Sequence, residues 1–208
     1  FAALAPTGLS LFLYSAAAFA FDDFLRFAHH LLMHKVPFLW KLHRAHHSAT
    51  VLTPVTLYRT HPLESAIATA RNSLSLGVAT GAFLFLFEAR FNLFTFFGVN
   101  VLGFTFNLLG ATLRHSHIPL SFGLLERVFI SPKQHQIHHS RDPRHVDKNF
   151  GVSLSIWDAL FGSLVYSRSG GKIRVGLSDG RAFSLRSQLF PGFPRLQFSL
   201  LKGRIVMK

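Results

Sequence analysis

Cysteine is missing altogether from this chain of 208 residues. Its absence excludes disulfides, a thiolate-bound zinc, a cysteine-ligated iron–sulfur cluster and a cysteine nucleophile. Acidic residues are scarce too, nine Asp and Glu against 22 Lys and Arg, for a formal charge of +13. No Glu-x-x-His pair occurs, so a carboxylate-bridged di-metal bundle is excluded. No His-Glu-x-x-His occurs either, which argues against a zinc protease. Basic motifs interleaved with aromatics are absent, so no nucleic-acid partner is expected. The first apolar run has no basic leader, which argues against a cleaved signal peptide. The chain opens on Phe1 rather than Met, which reads as a fragment whose N-terminal portion is missing.

What is abundant is apolar sequence. Phenylalanine occurs 24 times and the mean hydropathy is +0.31, which points toward a membrane protein. Three runs have the roughly 20-residue length of a membrane crossing, at about 4–21, 64–87 and 91–113. Glu88-Ala-Arg90 is a minimal polar break, so the second and third runs form a helical hairpin. The first helix delivers residues 22–62 to one face, and the hairpin crosses and returns Arg114 to that same face. All thirteen histidines then lie on one side, with twenty of the 22 basic residues. By the positive-inside rule that side is cytoplasmic, and a bacterial inner membrane is the location it suggests. The expected fold is all-α: a multi-pass membrane helical bundle with a cytoplasmic-face histidine-rich cap. Its domain occupies residues 1–165, and 166–208 is a basic tail on or near the membrane surface.

The histidines carry the chemistry. His30 and His34 stand four apart, and His43, His46 and His47 repeat the spacing i, i+3, i+4, as do His135, His138 and His139. Such residues share one helix face. Pro37 should break the helix between the pair and the first triplet, and Ser131-Pro132 should start the helix of the second. A helix is also expected over Leu124–Phe129. Neutral imidazole is the commonest side-chain metal ligand, and eight of them are too many for one ion and suit two. Iron that activates dioxygen accepts such borderline ligands. Structural zinc wants four ligands, usually with cysteine.

These elements resemble the sterol desaturase and fatty acid hydroxylase superfamily of membrane histidine-rich di-iron oxygenases. The resemblance rests on the three histidine motifs in order. It rests also on the flanking blocks Phe38–Ser48, Arg59-Thr-His-Pro-Leu-Glu64, Asn149-Phe-Gly151 and Ile156-Trp-Asp-Ala-Leu-Phe-Gly162, and it covers about residues 20–165. It implies that His30, His34, His43, His46, His47, His135, His138 and His139 ligate metal, with His115 as a ninth ligand. It implies two non-haem iron ions, dioxygen as co-substrate, and hydroxylation or desaturation of a lipid C–H bond. A separate cytochrome b5-like or ferredoxin-like protein would supply electrons. Leu31 stands where many members have Arg, and His117 where Asn is expected.

No catalytic residue is expected outside the metal site. His61 reads as a structural loop residue or a neighbour that supports a ligand, and His117 is the weaker candidate for such a role. Asp158 either accepts a hydrogen bond from a ligand imidazole or forms a surface ion pair. His29 reads as a surface or interface residue, His145 as a surface one, Glu64 and Arg71 as interfacial, and Trp40 as an interface aromatic. Two rivals remain: a zinc-dependent membrane hydrolase and a non-enzymatic, histidine-rich metal-handling protein.

Overall fold

The computed structural model describes residues 7–87, 104–105, 107–108, 110–169, 171 and 173–177, together with the backbone of 198–201 and 204–207. The fold is helical. Helix α1 runs from Gly8 to Lys35 and starts at a capping box, Thr7 Oγ1 accepting from the Ser10 amide and Ser10 Oγ from the Thr7 amide. At 28 residues it is about 42 Å long, enough to cross a bilayer and project beyond it. The residue before a proline is driven out of the helical region. Val36 accordingly is extended, at φ −94° and ψ 117°, and ends α1 where Pro37 opens α2, Pro37–His47. The break folds α2 back on α1 and brings the first triplet toward His30 and His34.

A short 3-10 turn, Pro54–Tyr58, leads to α3, Pro62–Phe87. His61 caps α3, its ring Nδ1 accepting from the Leu63 amide at 3.0 Å. Helices α1 and α3 are long and apolar enough to cross a membrane. They leave Leu9, Phe12, Leu74 and Phe85 exposed, as a lipid-facing surface does. Between them, Tyr14 packs edge-on against Phe83 and Phe87. Most of the expected third span, 91–113, lies outside the described residues, as does the Glu88–Arg90 break. Residues 110–114 are helical and hand the chain to His115.

The cap spans 114–169 and has little regular structure. The helix expected at Leu124–Phe129 is instead a 3-10 turn, Gly123–Arg127. Helix α4, Pro132–His138, starts as expected, on a capping box of Ser131 and Gln134; α5 is a short turn, Ile156–Leu160. Three buried carboxylates, none more than 1% exposed, organise these pieces. Asp23 of α1 accepts from the amides of Ser153 and Leu154, both at 2.9 Å, and from Trp157 Nε1 at 3.1 Å. Glu126 accepts from Ser121 Oγ, Ser131 Oγ and the Ser167 amide. Asp158 accepts from the amides of Phe150 and Gly151 and from Ser163 Oγ. A hydrogen bond to a charged group contributes about 1.5–3 kcal/mol, so these three nodes stand in for the helix ladders the cap lacks.

The tail departs from expectation in two places. Its first residues fold back on the cap, Arg141 donating from its amide to Arg174 and Gly176 to His139. At φ +112° Gly176 uses a backbone conformation open to glycine. Farther on, Phe198–Leu201 and Arg204–Met207 pair as an antiparallel ribbon, β1 and β2, in a chain expected to be all-α. Residues 178–197 of the expected surface tail lie outside the described residues.

Candidate metal centre

Four elements bring nine histidines to one place. Helix α1 supplies His30 and His34, α2 the first triplet, α4 with its C-cap the second, and the chain after 114 supplies His115. They form two groups: His30, His34, His43, His47 and His138 in one, and His46, His115, His135 and His139 in the other. Within each group one ring nitrogen per residue lies within 4.8 Å of all the others. Each triplet is therefore split. His43 and His47 go one way and His46 the other, while His135 and His139 join His46 and His138 crosses over. At 3.6 residues per turn, i and i+4 diverge by about 40° but i+3 and i+4 by about 100°. The single face expected for all three is thus two faces, one for each group.

Their outer nitrogens are held by the protein. His30 Nδ1 donates to the Phe150 carbonyl at 2.8 Å, and His138 Nδ1 to that of Lys148 at 2.8 Å. His43 Nδ1 donates to Glu64 Oε1 at 2.7 Å and His115 Nδ1 to the Ala111 carbonyl at 3.1 Å. A proton fixed on Nδ1 leaves the Nε2 lone pair facing inward. Loop 148–151 presents two of those acceptors. Asn149 makes this possible by taking φ +56° while its side chain bonds Gln134 and Val165.

Inward, the nitrogens want an ion. The five Nε2 atoms of the first group are buried with no hydrogen-bond partner. An unsatisfied buried polar atom costs about 1–3 kcal/mol, so five together rival the whole stability of a domain. In the second group His46, His115, His135 and His139 meet through Nε2 at 3.0, 3.0 and 3.2 Å. Neighbouring ligands about 2.1 Å from one ion stand about 3.0 Å apart at a right angle and about 3.4 Å at the tetrahedral angle. The residues fit two metal ions. No carboxylate joins either group among the described residues.

Burial holds several of these imidazoles neutral. It pushes His115 down to about 4 and His138 to about 3, and His46, His47, His135 and His139 well below the ordinary 6.5. Burial is the first cause in each case, followed by neighbouring imidazoles for His46, His47, His135 and His139. Trp40 and Phe150 wall the five-histidine group, with ring centroids 5.1 and 5.2 Å from His34. Trp40 thus forms part of the site's wall.

The other candidates fall outside both groups. His61 is a cap residue, and His117 is exposed, so neither supports a ligand through a hydrogen bond among those described. Asp158 is neither a ligand's partner nor a surface ion; it holds the backbone whose Phe150 carbonyl holds His30. His145, expected at the surface, is 4% exposed. Glu64, expected at the interface, is buried against His43. The signal for it lay in the Arg59-Thr-His-Pro-Leu-Glu64 block, and only the fold pairs it with His43.

Fold and site together define a helical protein that gathers nine imidazoles into two adjoining groups, each fit for a metal ion. Its sequence matches the fatty acid hydroxylase family over residues 15–163. The chain belongs to that family. It is 28% identical to human alkylglycerol monooxygenase over 162 residues, which is 78% of this chain and 32% of that protein. The alkylglycerol monooxygenase of Caenorhabditis elegans is 28% identical over 71% of this chain and 26% of its own length. The ornithine lipid hydroxylase OlsE of Rhizobium tropici is 26% identical over 80% of this chain and 46% of its own. The chain thus spans between a quarter and a half of the curated relatives it matches. No solved structure matches it.

Proposed function

We propose that the chain carries the oxygen-dependent, non-haem di-iron centre of a membrane lipid hydroxylase. The observation that carries this reading is the split of nine imidazoles, seven of them buried, into groups of five and four, with no carboxylate in either among the described residues. Relatives named for oxygenation of alkylglycerols and hydroxylation of ornithine lipids support a lipid C–H bond as the target. Two irons held by these groups would supply dioxygen activation and oxidation of that bond. The residues do the rest. Glu64 and the carbonyls of Lys148, Phe150 and Ala111 hold protons on four Nδ1 atoms and so aim the rings. Trp40 and Phe150 keep water from the first group. Glu64 is committed to His43 Nδ1, which takes it out of play as the general base of a zinc hydrolase.

In this proposal α1, α3 and the hairpin's second helix cross the membrane, with the centre on the cytoplasmic side of a bacterial inner membrane. Electrons come from a separate cytochrome b5-like or ferredoxin-like donor. Desaturation begins with abstraction of the same hydrogen and is a possible second outcome of the same centre.

The test is metal content and oxygen uptake of the detergent-purified chain beside a His46→Ala/His138→Ala double variant, which removes one ligand from each group. Two irons per chain, lost in the variant, with oxygen consumed only when reductant and lipid are both supplied, is the expected result. Tightly held zinc and no oxygen uptake after iron-replete expression would refute it.

A further inference from the structure

A cavity of about 230 Å³ lies between α1 and α3. Half of its wall is Ala, Leu and Phe, and the other half is Asp22, Arg26, Asn72, Ser75 and Asn107. The polar residues share a level. Asp22 is eight residues before His30, Asn72 eight after Glu64, and Asn107 eight before His115. Eight helical residues rise about 12 Å, so the polar ring sits about that far from the centre. Asp22 and Arg26 lie just past the expected first span, 4–21, and Asn72 near the start of the second, so the ring sits at the end of the spans that faces the cap.

The ring is rich in donors. Arg26 bonds Asp22 at 2.7 Å and also Asn107 Oδ1, so Asp22 is already neutralised. Arg71, next to Asn72, donates to Asn72 Oδ1 at 2.6 Å and to His29 Nδ1 at 3.3 Å. Its Nε is buried without a partner, and so is His29 Nε2. Among the described residues no carboxylate pairs with Arg71. Arg71 and His29 do not themselves line the cavity, so this one guanidinium charge and two buried N–H donors stand in excess behind Asn72, which does.

We propose that this cavity is the lipid subsite of the enzyme, taking an acceptor-rich polar group, phosphate, carboxylate or ester, against Arg71, Arg26 and Asn72. The lipid's first methylenes lie along the apolar wall. The inference rests on the hydroxylase reading and narrows it. A carbon within about 12 Å of the polar group is at most about ten bonds away along an extended chain. Oxidation therefore falls near the head of the lipid, and a hydrocarbon or a lone alcohol is a poor ligand.

The test uses the full chain in detergent, with a saturated phosphatidylglycerol and hexadecanol as probes and native mass spectrometry as the readout of binding. Metal content is measured in parallel. Ser75→Phe fills the cavity, and Arg71→Gln removes the excess charge without adding bulk. The expected result is phosphatidylglycerol held at least tenfold more tightly than hexadecanol. Each variant should weaken that hold about tenfold or more while keeping its metal. Inorganic phosphate should not displace the lipid. Equal binding by wild type and both variants, a preference for hexadecanol, or displacement by phosphate would each overturn the subsite. The two readings fail separately: lipid held with no oxygen-dependent product removes the hydroxylase and leaves the subsite. Hydroxylation that Ser75→Phe and Arg71→Gln leave untouched does the reverse.

Discussion

Replacing Glu64 tests whether the sites are built from outside inward. Its Oε1 takes the Nδ1 proton of His43 at 2.7 Å, and both side chains are less than a tenth exposed. Glu64→Leu removes the acceptor and leaves a buried N–H unpaired, at a cost of about 1–3 kcal/mol. The ring is then free to carry its proton on either nitrogen, and the tautomer that points a lone pair at the five-histidine group is no longer enforced. Loss of such a partner typically weakens metal affinity about 10–100-fold. Glu64→Gln keeps a carbonyl acceptor of the same reach and should recover most of the loss. The assay is a competitive titration of the purified chain against a metallochromic chelator, which resolves two binding events. The weaker event should shift in Glu64→Leu and return in Glu64→Gln, while the four-histidine site, which Glu64 does not touch, keeps its affinity. Affinity of both sites within twofold of wild type in Glu64→Leu would refute the reasoning.

Gly151→Ala should destabilise the cap. The new methyl would lie 2.6 Å from the Leu154 carbonyl oxygen and 2.8 Å from Asp158 Oδ2, and such overpacking costs about 1–3 kcal/mol. A lower thermal midpoint in a dye-free scattering or fluorescence melt checks it. Asp158→Asn turns one of the two acceptor oxygens facing the Phe150 and Gly151 amides into a donor. It should release the Phe150 carbonyl from His30 and lower metal occupancy, read by elemental analysis. In the metal-free chain, unfolded imidazoles take protons below about 6.5, whereas His115 and His138 resist until about 4 and about 3. The unfolded state then binds more protons, so stability falls as pH drops from 6.5, by about tenfold in the folding equilibrium per pH unit for each such imidazole. Chemical denaturation at pH 7, 6 and 5 measures the slope. A flat profile would mean that these rings are not buried when the metal is absent.

The histidine clusters were legible in the sequence because their spacing is local. His30 with His34, and each His-x-x-His-His triplet, report a helix face directly, and Val36-Pro37 and Ser131-Pro132 mark where those helices break and begin. The division into groups of five and four was not legible, because it depends on how α4 crosses α2. His138 and His46 each leave their own triplet for the other's group, and only tertiary packing decides that. His145 misled for a related reason. Arg141, Asp142, Arg144 and Asp147 around it suggest a solvated loop, yet the loop lies against the cap and buries the ring. Glu64, 21 residues from His43, and Asp23, about 130 from the amides it binds, also leave no local mark.

The carboxylates explain how a chain so poor in acid supports so many imidazoles. A carboxylate ligand would have brought negative charge to the ions themselves. Here the buried acids stand one step out, Glu64 on a ring and Asp158 on the backbone that holds another, while Asp23 and Glu126 fix the cap. Asp23, Glu126 and Asp158 are met by donors of the cap itself, so their desolvation cost is offset whether or not an ion is bound, whereas Glu64 rests on His43. The imidazoles have no such cover on their inner nitrogens. The cap is therefore expected to keep its fold on metal removal while the histidine-lined interior loosens. In hydrogen exchange a chelator should expose the amides of α2 and α4 and spare those of Ser153, Leu154 and Gly151. Uniform loss of protection across the cap would mean that the ions, and not the carboxylates, hold it together.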